Sequence, residues 1–219
     1  WVDSRGTCVP FAVPAVMEFL RKATKVPIEA HFHNDFGMAT ANSLAGIYAG
    51  ANHVGVTVNG LGERAGNASL QEVVMGIRHL LKLNVAYDTT MLREVAVYVA
   101  EASGRALGLN NPIVGLNIFA HESGIHGDGV LKNPLTYEAF KPEEVGLERQ
   151  IVIGKHSGSA AIKSKFMEYG VELSEADAQE SVSCDLSSPI GHRDQPFHVL
   201  VNPGLCWGKH CDRQVPRHA

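Results

Sequence analysis

The chain has 219 residues, 45% of them hydrophobic, and 19 Lys and Arg stand against 23 Asp and Glu for a formal net charge of −4. That balance fits a globular protein with a sizeable core, offers no basic stripe for nucleic acid, and breaks each apolar run before it is long enough to span a membrane. The first residues lack the charged-then-apolar order of a secretory signal, so a cytoplasmic location is expected.

In chain order, Trp1 to Gly6 reads as the end of a strand and its loop, which leads us to expect that an amino-terminal part is missing. A helical stretch follows Val9 and Pro10 and runs through Phe19, Leu20 and Arg21. Val26 to His33 is a short strand after the Pro27 break, and Asn34, Asp35, Phe36 and Gly37 supply the turn that ends it. Thr40 to Ala49 is a second helix, Asn52 to Asn59 a strand with β-branched residues, and Ser69 to Leu81 a third helix with apolar positions at Leu70, Val73, Val74, Ile77, Leu80 and Leu81. Strands separated by helices of this length imply parallel β-α-β units, because a parallel return needs a crossover. Residues 1–84 form this first unit. A second, mostly helical unit spans 85–180, with one long helix from Thr90 to Ser103, a break from Gly104 to Asn111, punctuation at Pro134, Pro142 and Gly146, and a last helix ending near Tyr169. From 181 to 219 the periodicity disappears while Pro, Cys, His and Trp rise together, as in a disordered extension or an altered reading frame.

The chemistry-bearing residues begin with His31 and His33. Side chains two apart on a strand share a face, so both imidazoles can reach one ion, and they sit at the strand's carboxyl end, where a barrel of alternating strands and helices builds its active site. The competing reading is a solvated or hydrogen-bonded histidine pair. The strand ending at Asn59 runs into Gly60, Leu61, Gly62, Glu63, Arg64, Ala65, Gly66 and Asn67, which formally matches the dinucleotide fingerprint G-x-G-x-x-A. A nicotinamide oxidoreductase would also need an acidic residue at the end of the next strand, and Asp88 falls between two predicted helices instead. The better reading is a glycine-rich loop at the mouth of a site, with Gly60 and Gly62 in the loop, Glu63 and Arg64 as its charged rim, and the Asn67 amide oxygen turned to the same ion. Imidazoles with an amide or carboxylate oxygen suit Zn²⁺, Mn²⁺, Co²⁺ or Mg²⁺ acting as a Lewis acid, and a carboxylate ligand would come from elsewhere. A second cluster holds His121, Glu122, Ser123, Gly124, Ile125 and His126; His126 is a candidate proton shuttle and Tyr137 a phenolic donor, against a helix-terminal histidine and a packing aromatic. Of four cysteines only Cys8 lies in the patterned region; Cys184, Cys206 and Cys211 make no disulfide framework, and Cys206, His210 and Cys211 fit no zinc module.

Taken together these motifs, with Met38 to Asn42 and Gly154 to Gly158, resemble the metal-dependent acyltransferases that condense acetyl-coenzyme A with 2-oxo acids, the family of 2-isopropylmalate synthase and homocitrate synthase. The resemblance runs from Asp3 to about Tyr169. It looks closest to homocitrate synthases of the nitrogen-fixation type. What it implies is an α/β fold, the carboxyl-terminal portion of a (β/α)8 TIM barrel, followed by a mostly helical subdomain that covers the active site of a partner subunit in a homodimer. The resemblance also implies metal binding at His31 and His33, Asn67 beside the metal, His126 and Tyr137 reaching into the neighbouring protomer's site, and Ser4 near the oxo acid, where the family usually has threonine. The family's first-strand Asp-Arg-Glu region and the glutamate expected as base have no counterpart here, so the chain alone is expected to be inactive. Gly60-Leu61-Gly62 in place of Gly-Asn-Gly, and the short stretch after Gly158, favour 2-oxoglutarate as acceptor over the substrate of 2-isopropylmalate synthase, while citramalate synthase and related enzymes stay open. A non-catalytic fragment that pairs with a partner is the remaining alternative, since a partial barrel exposes strand edges and apolar helix faces.

Overall fold

The computed structural model describes residues 1–84, 86–121, 138–151 and 158–183. Three strands, β1 (Val2–Asp3), β2 (Glu29–Phe32) and β3 (His53–Gly55), lie side by side in chain order and all parallel, with Val2 opposite His31 and His31 opposite Gly55. Each is followed by a helix: α1 (Val13–Ala23), α2 (Ala39–Tyr48) and α3 (Leu70–His79). Three consecutive strand-helix units in sequential order are an arc of a (β/α)8 barrel, with the turns that follow the strands gathered at one edge.

Local chemistry explains where these helices start. Pro14 opens α1, whose Arg21 and Lys22 complement the negative end of its dipole. The side chain of Asn34 accepts a hydrogen bond from the Ala39 amide at 3.1 Å, satisfying an orphan donor of α2's first turn. The core under the sheet is built from Val13, Met17, Ile28, Ala30, Phe32, Ala39, Ala68 and Val73. Phe32 is fully buried, with Trp1 edge-on at 5.0 Å. Because successive strand residues alternate sides, burying Phe32 obliges His31 and His33 to share the opposite side.

Helix α3 serves two cores. Val73 faces the first, whereas Met75, two positions on and so roughly opposite at 100° per residue, packs with Leu92, Ala96, Val114, Phe119 and Val145. The second unit is therefore mounted on the outside of α3. It comprises α4 (Leu92–Ser103), a two-stranded parallel pair β4 (Ala120–His121) and β5 (Gln150–Ile151), α5 (Ser159–Glu168) and α6 (Glu175–Ser183). A buried Glu138 is held bidentately by Arg149 at 2.7 and 2.6 Å. His79 at the end of α3 meets Glu144 at 3.0 Å and Phe140 at 5.7 Å between ring centroids, tying the two units together.

Two elements differ from the sequence reading. The strand expected over 52–59 stops at Gly55 and gives way to a 3-10 turn over Val58–Gly60, because Asn59 adopts φ of 58° and cannot continue a ladder. Helix α6, which the sequence reading left without an element, starts where the Ser174 hydroxyl accepts from the Asp177 amide at 3.2 Å. Asp88, set aside above as the acidic residue of a dinucleotide site, accepts from the Thr90 amide at 3.0 Å and caps the turn that leads into α4.

Candidate functional site

His31 and His33 stand at the carboxyl end of β2 with ring centroids 5.1 Å apart and planes at 86°. Gly55 makes room for the first: a Cβ there would fall 2.6 Å from His31 Nδ1. His33 forms an isolated antiparallel bridge with Asn67, backed by the Asn34 amide donating to the Gly66 carbonyl at 2.9 Å. The bridge brings the third predicted ligand to the histidine pair. The nitrogen of the Asn67 side chain donates to the Leu61 carbonyl at 2.9 Å, which fixes the amide's orientation. Its oxygen Oδ1 is buried without a hydrogen-bond partner, and so is His33 Nδ1.

The glycine-rich loop owes its shape to backbone that only glycine tolerates. Gly66 has φ of 90°, and a Cβ on it would lie 2.0 Å from the Gly60 carbonyl oxygen. Gly62 has ordinary φ but no room: a Cβ would lie 2.4 Å from Asn67 Nδ2. At the base of the loop, Asn59 and the buried Gln71 bond reciprocally, Gln71 Nε2 to Asn59 Oδ1 at 2.7 Å and the Asn59 amide to Gln71 Oε1 at 3.0 Å. Asn59 Nδ2 also donates to the Ala96 carbonyl of α4 at 2.8 Å, and Arg105 donates to the Gly62 carbonyl at 3.3 Å, so the second unit holds the loop from behind.

At the front of the loop, Arg64 grips Asp35 with Nε on Oδ1 at 2.8 Å and Nη2 on Oδ2 at 3.0 Å, and Nη2 also donates to the Ser4 carbonyl at 2.9 Å. Hydrogen bonding by Arg64 holds the Asp35 carboxyl below the usual carboxylate range. Glu63 is the outer charge, exposed and 3.9 Å from Arg64. Ser4 is exposed in the turn after β1. His126 and Tyr137 lie outside the described residues. Sequence spacing pointed to His31, His33, Asn67 and the loop; it gave no sign of Gly55, Gln71, Arg105 or of Asp35 as the partner of Arg64, all of which are tertiary contacts.

As a cation site the set is partial. Two buried polar atoms without partners, each costing about 1–3 kcal/mol, belong to residues with an imidazole and an amide oxygen to offer, which is the donor chemistry a borderline divalent ion takes. Among the described residues no group of three or more His, Cys, Asp and Glu side chains is disposed to hold a metal. The residues present thus fit part of a coordination shell. No helix among the described residues is long and apolar enough to cross a membrane.

Parallel strands with helical crossovers and a polar cluster at the strands' carboxyl ends define this chain as a piece of a (β/α)8 barrel with its working edge present. Residues 1–99 match the HMGL-like family model, and residues 113–184 match the homocitrate synthase post-HMGL domain-like model. The relatives that the chain matches across both of these segments are 2-isopropylmalate and homocitrate synthases. The chain is 60% identical, over 80% of its length, to 46% of 2-isopropylmalate synthase 2 from Caldanaerobacter subterraneus subsp. tengcongensis. It is 51% identical, over 81% of its length, to 47% of homocitrate synthase 1 from Nostoc sp.. A probable 2-isopropylmalate synthase from Methanopyrus kandleri is 49% identical over 82% of the chain and 36% of that protein. The chain spans less than half the length of each of these relatives.

Proposed function

We propose that the protein this chain belongs to condenses acetyl-coenzyme A with a 2-oxo acid, in the manner of the acyltransferases that form homocitrate or 2-isopropylmalate. The observation that carries the reading is the His31 and His33 pair at the carboxyl end of β2, with Asn67 bridged to His33 through the backbone and its side-chain oxygen buried without a partner. His31, His33 and Asn67 would hold a divalent cation (Mg²⁺, Mn²⁺, Zn²⁺ or Co²⁺), which supplies Lewis acidity toward the keto oxygen of the acceptor. A base outside the described residues takes a proton from the acetyl methyl, the methyl carbon bonds to the keto carbon, and the keto oxygen gains a proton to become a tertiary alcohol. Water then cleaves the thioester, releasing coenzyme A as a thiol and leaving a carboxylate. His126 and Tyr137 serve this sequence as donors to the developing oxygen charge, contributed across a homodimer whose helical unit covers the partner's site. Ser4 lies in the turn after β1 and offers a hydroxyl to the oxo acid.

For the acceptor the proposal is 2-oxoglutarate, supported by the match of residues 113–184 to the homocitrate synthase post-HMGL model and by the Gly60-Leu61-Gly62 loop. The 60% identical relative from Caldanaerobacter favours the 2-isopropylmalate product instead. A panel of 2-oxo acids on the full-length protein, read by thiol release from acetyl-coenzyme A, separates them. Release with 2-oxoglutarate upholds the proposal, release with 2-oxoisovalerate alone replaces it with the second reading, and no release with any 2-oxo acid overturns both. His126→Ala is expected to lower turnover with metal content intact.

A further inference from the structure

The structure assigns Arg64 the role of a positioning residue that draws three successive strand-to-helix turns together and thereby holds Asn67 in its bridge with His33. Arg64 leaves the loop in a left-handed conformation, φ of 55°, which a non-glycine residue adopts only when its surroundings enforce it. What enforces it is a two-point grip on Asp35 in the turn after β2 and a third bond to the Ser4 carbonyl in the turn after β1, while Arg64 itself sits in the turn after β3. A planar guanidinium can fill all three contacts at fixed angles, and an ammonium cannot. The approach of these turns is close: Gly6, at φ of 64°, would bring a Cβ within 2.5 Å of Asp35 Oδ2 and 3.0 Å of the His33 carbonyl oxygen. Two residues after Arg64, the same pull seats Gly66 so that its carbonyl accepts from the Asn34 amide, and the Asn67 amide bonds the Gly60 carbonyl at 2.9 Å. Arg64 therefore acts on the site through Asn67, without offering a ligand of its own.

The inference rests on the reading of Asn67 as a cation ligand, and its test keeps the two apart. Amide hydrogen exchange is measured on the chain and on Arg64→Ala, Arg64→Lys and Asn67→Ala, followed by titration with Co²⁺ and the visible spectrum at saturation. In Arg64→Ala the Asn34 and Asn67 amides should lose protection while those of α3 keep theirs. Its Co²⁺ dissociation constant should rise about 10- to 100-fold, the range for losing a group that orients a metal ligand. Its saturated spectrum should coincide with that of Asn67→Ala, which a mere loss of stability would not produce, and Arg64→Lys should fall between. If α3 also loses protection in Arg64→Ala, the lysine variant carries the comparison. Unchanged protection at Asn34 and Asn67, or a saturated spectrum like that of the unsubstituted chain, overturns the assignment. Should the unsubstituted chain bind no Co²⁺, the ligand reading of His31, His33 and Asn67 fails, and the exchange data alone uphold or overturn the hold of Arg64 on the loop.

Discussion

Replacing Gly62 by alanine separates the site from the fold. The new methyl would stand 2.4 Å from Asn67 Nδ2 and 2.9 Å from its Cγ, so the amide must swing away by about 1 Å to reach ordinary contact. Gly62 does not use positive φ, so the alanine backbone is unstrained. Swinging the amide breaks its bond to the Leu61 carbonyl, a loss of about 0.5–1.5 kcal/mol. Lower entropy of the unfolded chain returns about 0.4–1 kcal/mol, so net stability changes by about 1 kcal/mol or less. Divalent-cation affinity behaves differently, since the amide oxygen proposed as a ligand is displaced. Losing the orientation of one ligand weakens binding by about 10- to 100-fold, equivalent to about 1.4–2.7 kcal/mol. Urea titration and Co²⁺ titration on the same preparations read both quantities. Unchanged Co²⁺ affinity would refute the role of Asn67, and a loss of several kcal/mol in stability would refute the geometry of the loop.

Other perturbations fall on the supports of the site. Phe32→Ala removes the fully buried ring that anchors β2 on the side opposite the two histidines and should cost about 3–5 kcal/mol in urea unfolding, with weaker Co²⁺ binding because the end of β2 loosens. Burial, helped by the Asp3 carboxylate, raises the Cys8 thiol above its ordinary range. Alkylation at pH 8, followed residue by residue by mass spectrometry, should therefore be slower at Cys8 than at a free peptide thiol, and Asp3→Asn should speed it up.

Much of the barrel arc is legible in the sequence because its punctuation is local. Pro27 and Gly37 bracket β2, and the spacing of Leu70, Val73, Val74 and Ile77 marks α3 without reference to anything distant. The short span of β3 is less legible, since β-branched Val56, Thr57 and Val58 favour a strand and only the left-handed backbone of Asn59 ends it. Helix α6 has few apolar residues to set a period, and its sign is the Ser174 and Asp177 pair at its start. In the site, the two-residue spacing of His31 and His33 is a property of the strand and is readable. Arg64 and Asp35 are 29 residues apart and meet only because parallel strands bring their following turns to one edge, so no pattern along the chain announces them.

X-ray absorption of the chain loaded with one equivalent of Zn²⁺ tests the central claim most directly, because it counts imidazoles on the ion. Two imidazole nitrogens at about 2.0–2.1 Å, falling to one in His31→Ala and in His33→Ala, are the predicted result. A shell dominated by sulfur at about 2.3 Å, or one that neither substitution alters, would contradict the account.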